Sequence, residues 1–85
     1  MEKMEEQQVF DKVVEVLTPY ARDKEALASV SLESDLLKGL QVNSSRLVDI
    51  VLDFEDKFDI EIADEEADQV TTVGAAVSLI LAKQA

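Results

Sequence analysis

The stretch "QVNSSR", residues 41–46, places two hydroxyls side by side just before an acidic amphipathic segment. A serine at the mouth of a helix can do two kinds of work. Its oxygen can accept a hydrogen bond from a free amide of the first turn, the capping role that Ser and Asn fill best. Alternatively it can bear a covalent group, because a hydroxyl at the end of a long loop is open to a modifying enzyme. A phosphodiester there would meet the positive end of the helix dipole, which favours negative charge. Both roles fit together, since Asn43 can cap while Ser44 is modified.

The remaining chemical inventory is narrow. The chain has no Cys and no His. Disulfides, thiolate nucleophiles, imidazole bases and the usual zinc ligands are therefore absent. Carboxylates abound, so calcium is the natural test. The run Asp53-Phe54-Glu55-Asp56-Lys57-Phe58-Asp59 puts Lys57 and Phe58 where an EF-hand loop needs ligands and glycine. No dedicated metal site is expected. Paired carboxylates can act as acid and base only in a cleft that drives their pKa values apart. The two glycines, Gly39 and Gly74, form no phosphate-cradling loop. The expectation is a protein that is not an enzyme and has no catalytic residues of its own.

Charge is unevenly spread over the 85 residues. Of the net −11, residues 44–70 hold −8, with ten acids against Arg46 and Lys57. Such a field repels nucleic acid and anionic lipid and favours partners with basic patches. No apolar run approaches the roughly 18 residues that span a bilayer. The charged start Met1-Glu2-Lys3-Met4-Glu5-Glu6 lacks the apolar core of a signal peptide. A cytoplasmic monomer without membrane insertion is expected, folded as a single domain over 1–85, since 47% hydrophobic content is too high for disorder.

The elements that must position the serines follow from spacing. Val9, Phe10, Val13, Val16 and Leu17 recur at three- and four-residue steps and predict a helix from about Glu5 to Leu17. Pro19 should end it, and Thr18-Pro19 could open a further short turn. Residues 29–43 read as a long structured loop. Its Leu32, Leu36, Leu37 and Leu40 should lie against the core. From Asn43 or Ser44 a second helix runs to about Phe58, with Leu47, Ile50 or Val51, Phe54 and Phe58 inward. Ile60-Glu61-Ile62 is briefly extended. Asp64 can cap a short helix through Asp68, and Thr71 or Thr72 a last helix striped by Val73, Ala76, Val77, Ile80 and Leu81. Gly74 inside that helix costs roughly 1 kcal/mol against Ala and suggests close packing. The fold class is all-α, a small bundle of three main helices plus a short helix. A long structured loop joins the first two main helices.

From Asn43 onward, "NSSRLVDIVLDFEDKFDIEIADEEADQVTTVGAAVSLI" resembles the acyl carrier proteins. The serine, the acidic helix closing on Phe-Asp, "DEEAD" and "TTV" occur in the family's order and spacing. The N-terminal helix is similar more loosely. The resemblance implies that Ser44, rather than Ser45, receives 4'-phosphopantetheine from coenzyme A through a holo-carrier synthase, a phosphopantetheinyl transferase. The arm's thiol would then hold acyl groups as thioesters and shuttle them between enzymes of fatty acid, lipid or polyketide type. It further implies an acyl pocket at Val48, Leu52, Phe54, Val70 and Ala76. Contacts with the basic patches of partner enzymes would fall to Arg46, Asp49, Asp53, Glu55 and Asp56.

Three positions depart from the family pattern. Asn43 replaces the usual Asp, Ser45 the usual Leu, and Arg46 a common acid. The loop around "LLKGLQV" is a few residues longer. These departures suggest a specialised carrier with its own partners. Two other readings compete with it: an unmodified carrier fold that serves only protein contacts, and an unrelated acidic helical regulator.

Overall fold

The structure, a computed structural model, describes residues 4–84. The charged triplet Met1-Glu2-Lys3 lies outside the described residues. Helix α1 spans Glu6–Leu17, α2 Lys24–Ala28, α3 Leu47–Phe58, α4 Asp64–Ala67 and α5 Val73–Gln84. A 3-10 turn, Ser44–Arg46, leads directly into α3. The all-α expectation holds, and α2 is one short turn more than the apolar spacing gave.

The core is wholly apolar among the described residues. Val9, Val13, Val16 and Leu17 of α1 meet Ile50, Phe54 and Phe58 of α3 and Val73, Ala76, Val77 and Ile80 of α5. The Phe54 and Phe58 rings lie 6.3 Å apart and tilted by 57°, a favourable aromatic arrangement. The Met4 backbone exchanges hydrogen bonds with the Gln84 side chain at 3.5 and 3.4 Å, which makes α1 and α5 antiparallel. Lys57 pairs with Glu15, and the Tyr20 hydroxyl donates to Asp53 at 2.6 Å, which sets α3 antiparallel to α1 as well.

Several boundaries differ from the sequence expectation for local reasons. Thr18 keeps helical angles even before Pro19, because its amide and its hydroxyl both donate to the Val14 carbonyl. It therefore closes α1 rather than capping a new helix, while residues 18–20 form the expected short turn, with the Tyr20 and Ala21 amides donating to the Leu17 carbonyl, both at 2.9 Å. The cap of α2 is Asp23, whose carboxylate accepts from the Ala26 amide at 3.0 Å. Helix α4 starts at Asp64, one residue early, because Glu66 reaches back to the Ala63 amide at 2.9 Å. Thr72 caps α5 through the Ala75 amide at 3.0 Å. Residues 60–62 form no strand, although Ile62 is buried and Ile60 half-buried.

Among the four loop leucines, Leu36 and Leu40 are fully buried, while Leu32 and Leu37 are 39% and 40% exposed. The loop turns sharply at Asp35, so only the i and i+4 pair points inward. Its backbone is stitched to the start of α5. Leu36 donates to the Thr71 carbonyl at 3.0 Å, Val73 to Ser34 at 3.0 Å and Gly74 to Leu32 at 2.7 Å. A Cβ on Gly74 would stand 2.8 Å from the Leu32 carbonyl oxygen, so glycine is what lets the loop come this close.

Candidate functional site

The loop that delivers the serines is built from short-range bonds. The Asp35 carboxylate accepts from the Leu37 and Lys38 amides, both at 2.9 Å. The Gly39 and Leu40 amides donate to the Asp35 carbonyl, each at 2.9 Å. A side chain at Gly39 would strike that same oxygen, 2.6 Å from an added Cβ. Gln41 then adopts a left-handed φ of 59°, and its side chain donates to the Lys38 carbonyl at 2.7 Å. The chain leaves this knot at Asn43 in an extended conformation and turns into the 3-10 segment.

Asn43 performs the capping. Its side-chain oxygen accepts from the Ser45 amide at 3.0 Å and from the Ser45 hydroxyl at 2.9 Å. The two neighbouring hydroxyls are thereby distinguished. Ser45 is tied into the cap. Ser44 is exposed, and among the described residues its hydroxyl makes no hydrogen bond. The Arg46 guanidinium lies 3.1 Å from the Asp49 carboxylate, an exposed pair on successive turns.

One turn beyond Ser44 an apolar cleft of about 360 Å³ opens between α3 and the segment containing α4. Leu47, Val48, Val51 and Leu52 form one wall, and Ile62, Ala67 and Val70 the other. Leu37 and Lys38 of the loop stand at its edge. Val48 and Leu52 are 68% and 55% exposed, high values for aliphatic side chains. Phe54 and Ala76 do not line the cleft, being buried in the core. The helical turn explains Phe54: at about 100° per residue it falls on the α1 side, away from Val48 and Leu52. Leu47, Val51, Ile62, Ala67 and Leu37 are lining residues that sequence reasoning did not place there. Val51 follows the stripe of Val48 and Leu52 and was readable from helical spacing, whereas Leu37 is brought in by the loop alone.

The acids of α3 are in different situations. Asp49 is held by Arg46, and Asp53 accepts from Tyr20. That hydrogen bond, with burial and the Asp53 charge behind it, raises the Tyr20 phenol above its ordinary pKa. Glu55 is half-buried at the cleft and accepts from the Ile62 amide at 2.9 Å, which fixes the turn after α3. Asp56 is exposed. On α4, Glu66 pairs with Lys83 of α5 at 2.7 Å. Hydrogen bonds from Lys83 and from the Ala63 amide hold its carboxyl below the usual glutamate range. Lys57 does the same for Glu15. Among the described residues no three carboxylates converge as a metal site would need, and no helix is long and apolar enough to cross a membrane.

Comparison with known proteins decides what a free serine beside an apolar cleft belongs to. A family model described as a phosphopantetheine attachment site matches residues 15–80, well over half of the chain. The chain belongs to the acyl carrier protein family. It is 40% identical over 77 residues to an acyl carrier protein of Picosynechococcus sp., covering 91% of this chain and 93% of that one. An acyl carrier protein of Lactobacillus acidophilus is 34% identical over 82 residues, covering 95% and 99%. The solved structure of an acyl carrier protein from Enterococcus faecalis superposes with a TM-score of 0.76 at 30% identity, covering 94% of this chain and 99% of that one. Members of this family are carriers and not catalysts, and their prosthetic group is 4'-phosphopantetheine. They work with a phosphopantetheinyl transferase and with acyl-processing enzymes. The residues here fit that group. A phosphate ester needs a hydroxyl that is exposed and not required by the fold, and Asn43 frees Ser44 by capping in its place.

Proposed function

We propose that Ser44 carries the 4'-phosphopantetheine arm of this carrier, delivered from coenzyme A, and that the cleft beside it shelters the attached acyl chain. The carrying observation is the division of labour at the head of α3: Asn43 caps, Ser45 bonds to Asn43, and the Ser44 hydroxyl is exposed and unengaged. When bound, the arm supplies the thiol that a chain without cysteine lacks. The residues of the chain supply the rest. Val48, Leu52 and Val70 offer apolar surface to a fatty or similarly apolar chain and exclude water from it. Phe54 and Ala76 belong to the core and not to this wall.

Asp49, Asp53, Glu55 and Asp56 make α3 the acidic face that attracts the basic patches of partner enzymes. Attraction between opposite charges speeds encounter more than it strengthens binding. A carrier that visits several enzymes gains from that balance. Arg46 and Asn43 make the head of this face less negative than its middle, which supports a specialised set of partners. A cytoplasmic monomer, one domain over residues 1–85, serving fatty acid, lipid or polyketide synthesis completes the reading.

The test is intact mass after incubation with coenzyme A and a broad-specificity phosphopantetheinyl transferase. Wild-type and Ser45→Ala chains gain one phosphopantetheine, and Ser44→Ala gains none. Loading that survives in Ser44→Ala, or is lost only in Ser45→Ala, refutes the assignment.

A further inference from the structure

The cations around Ser44 form a pattern that the carrier reading does not use. The chain holds only two arginines, Arg22 and Arg46, in a protein of net charge −11. The amides of Arg22 and Asp23 donate to the Leu40 carbonyl at 3.1 and 3.2 Å. The connection between α1 and α2 is thereby laid against the end of the loop. A groove results, lined by Arg22, Asp23, Lys24, Glu25, Gln41, Val42 and Asn43, and it ends at the residue before Ser44. Arg46 stands two residues beyond the serine. Both arginines are exposed.

The partners of the surrounding charges matter. The Lys24 ammonium donates to the Thr18 carbonyl at 2.7 Å. The Asp23 carboxylate is occupied with the cap of α2. Elsewhere Lys57 and Lys83 are paired with Glu15 and Glu66. Arg22 enters no side-chain hydrogen bond or ion pair among the described residues. Arg46 meets Asp49 through one nitrogen, and a guanidinium carries five N–H donors. One guanidinium with donors to spare thus lines the groove that ends at Asn43, and the other stands two residues beyond Ser44.

Resting on the attachment of the arm at Ser44, we propose that Arg22 and Arg46 form a phosphate-recognition pair that holds the phosphodiester at the root of the arm. The planar fork of arginine matches phosphate oxygens, and charge makes such hydrogen bonds about twice as strong as neutral ones. Both arginines are solvent-exposed, so each contact is weak and reversible. That suits a group which must swing between enzymes. Two anchors on different segments restrict the directions in which the arm leaves the surface, while its distal thiol stays free.

The experiment uses the loaded and unloaded full chain, with attachment at Ser44 first mapped by mass spectrometry. Attachment at another residue refutes the assignment of Ser44 before any comparison of the arginines. Melting temperatures of both forms are then measured at low salt for wild type, Arg22→Gln, Arg46→Gln, the double variant and a Lys12→Gln control. In wild type and control the loaded form melts about 2–4 °C above the unloaded one, the size expected for a few tenths of a kcal/mol in a domain this small. The gap shrinks in each single variant, is mostly lost in the double variant, and fades at high salt. The phosphorus resonance of the loaded double variant moves toward that of free phosphopantetheine. A double variant that keeps both the wild-type gap and the wild-type resonance overturns the proposal.

Discussion

Helices α3 and α5 are each twelve residues long and line the same core, yet they treat their outward faces differently. In α5 the buried positions are Val73, Ala76, Val77 and Ile80, and the exposed ones are Ser78, Ala82 and Lys83. In α3 the inward Ile50, Phe54 and Phe58 are matched by outward Val48 and Leu52, four residues apart and more than half exposed. Exposed aliphatics at helical spacing cost solubility and gain nothing for the fold. The difference therefore separates a helix that serves the core alone from one that also presents a working surface.

The largest effect that tests this contrast is at its centre. Phe54→Ala should lower unfolding stability by about 3–5 kcal/mol in denaturant titration, as a buried aromatic truncation does. A loss below about 1 kcal/mol would show that α3 is not anchored as its burial implies. On α5, Gly74→Ala sets two principles against each other. Helix propensity alone favours Ala by roughly 1 kcal/mol. The clash with the Leu32 carbonyl should win, for a net loss of about 1–3 kcal/mol. A stabilised variant would mean that the loop yields there.

On the outward face the expectation reverses. Leu52→Ala should change stability by no more than about 0.5 kcal/mol. The same variant, loaded with an apolar acyl chain, should lose its thioester to water measurably faster than wild type. Equal hydrolysis rates would remove the cleft from the carrier's function.

The smallest effect is electrostatic. Glu66 has a depressed pKa in the folded chain, so its pairing with Lys83 contributes stability above the unfolded glutamate pKa. That contribution is lost as pH falls through the folded value. Glu66→Gln should thus melt slightly below wild type at neutral pH, and the gap should close under acid. Tyr20 has the opposite sign, because its raised pKa favours the folded state below the ordinary tyrosine range. The gap between wild type and Tyr20→Phe should begin to close in that range and vanish as pH rises through the raised folded value. Comparing each variant with wild type cancels the general relief of acidic self-repulsion at low pH.

Much of this was legible in the sequence because α1, α3 and α5 each bury a stripe at helical period. The end of α3 at Phe58 and the cap at Asn43 were readable for the same kind of reason: local chemistry decides them. What escaped depends on partners distant in the chain. Leu37 and Leu32 share the loop with Leu36 and Leu40, and nothing local says which pair turns inward. Phe54 is the exception, since it lies between two cleft positions in sequence and the helical period alone already turns it toward α1. The acids of α3 look alike in sequence, yet Asp53 is held by Tyr20 and Glu55 by the Ile62 amide.

The stitching of the loop to the start of α5 carries a further consequence for the order of events during folding. Residues 32–36 take their shape from residues 71–74, far along the chain. Contacts of such sequence separation form late, after the entropy of closing the intervening chain has been met. Helices α1 and α3 can gather early, and the knot over residues 35–41 can close on its own short-range bonds, but residues 32–36 are fixed in place only when the last helix docks. The turn bearing the serine is thus formed locally and anchored last. A chain cut short before Gly74 would keep the turn but lack the anchor of the loop that leads to it, whatever the state of its other helices.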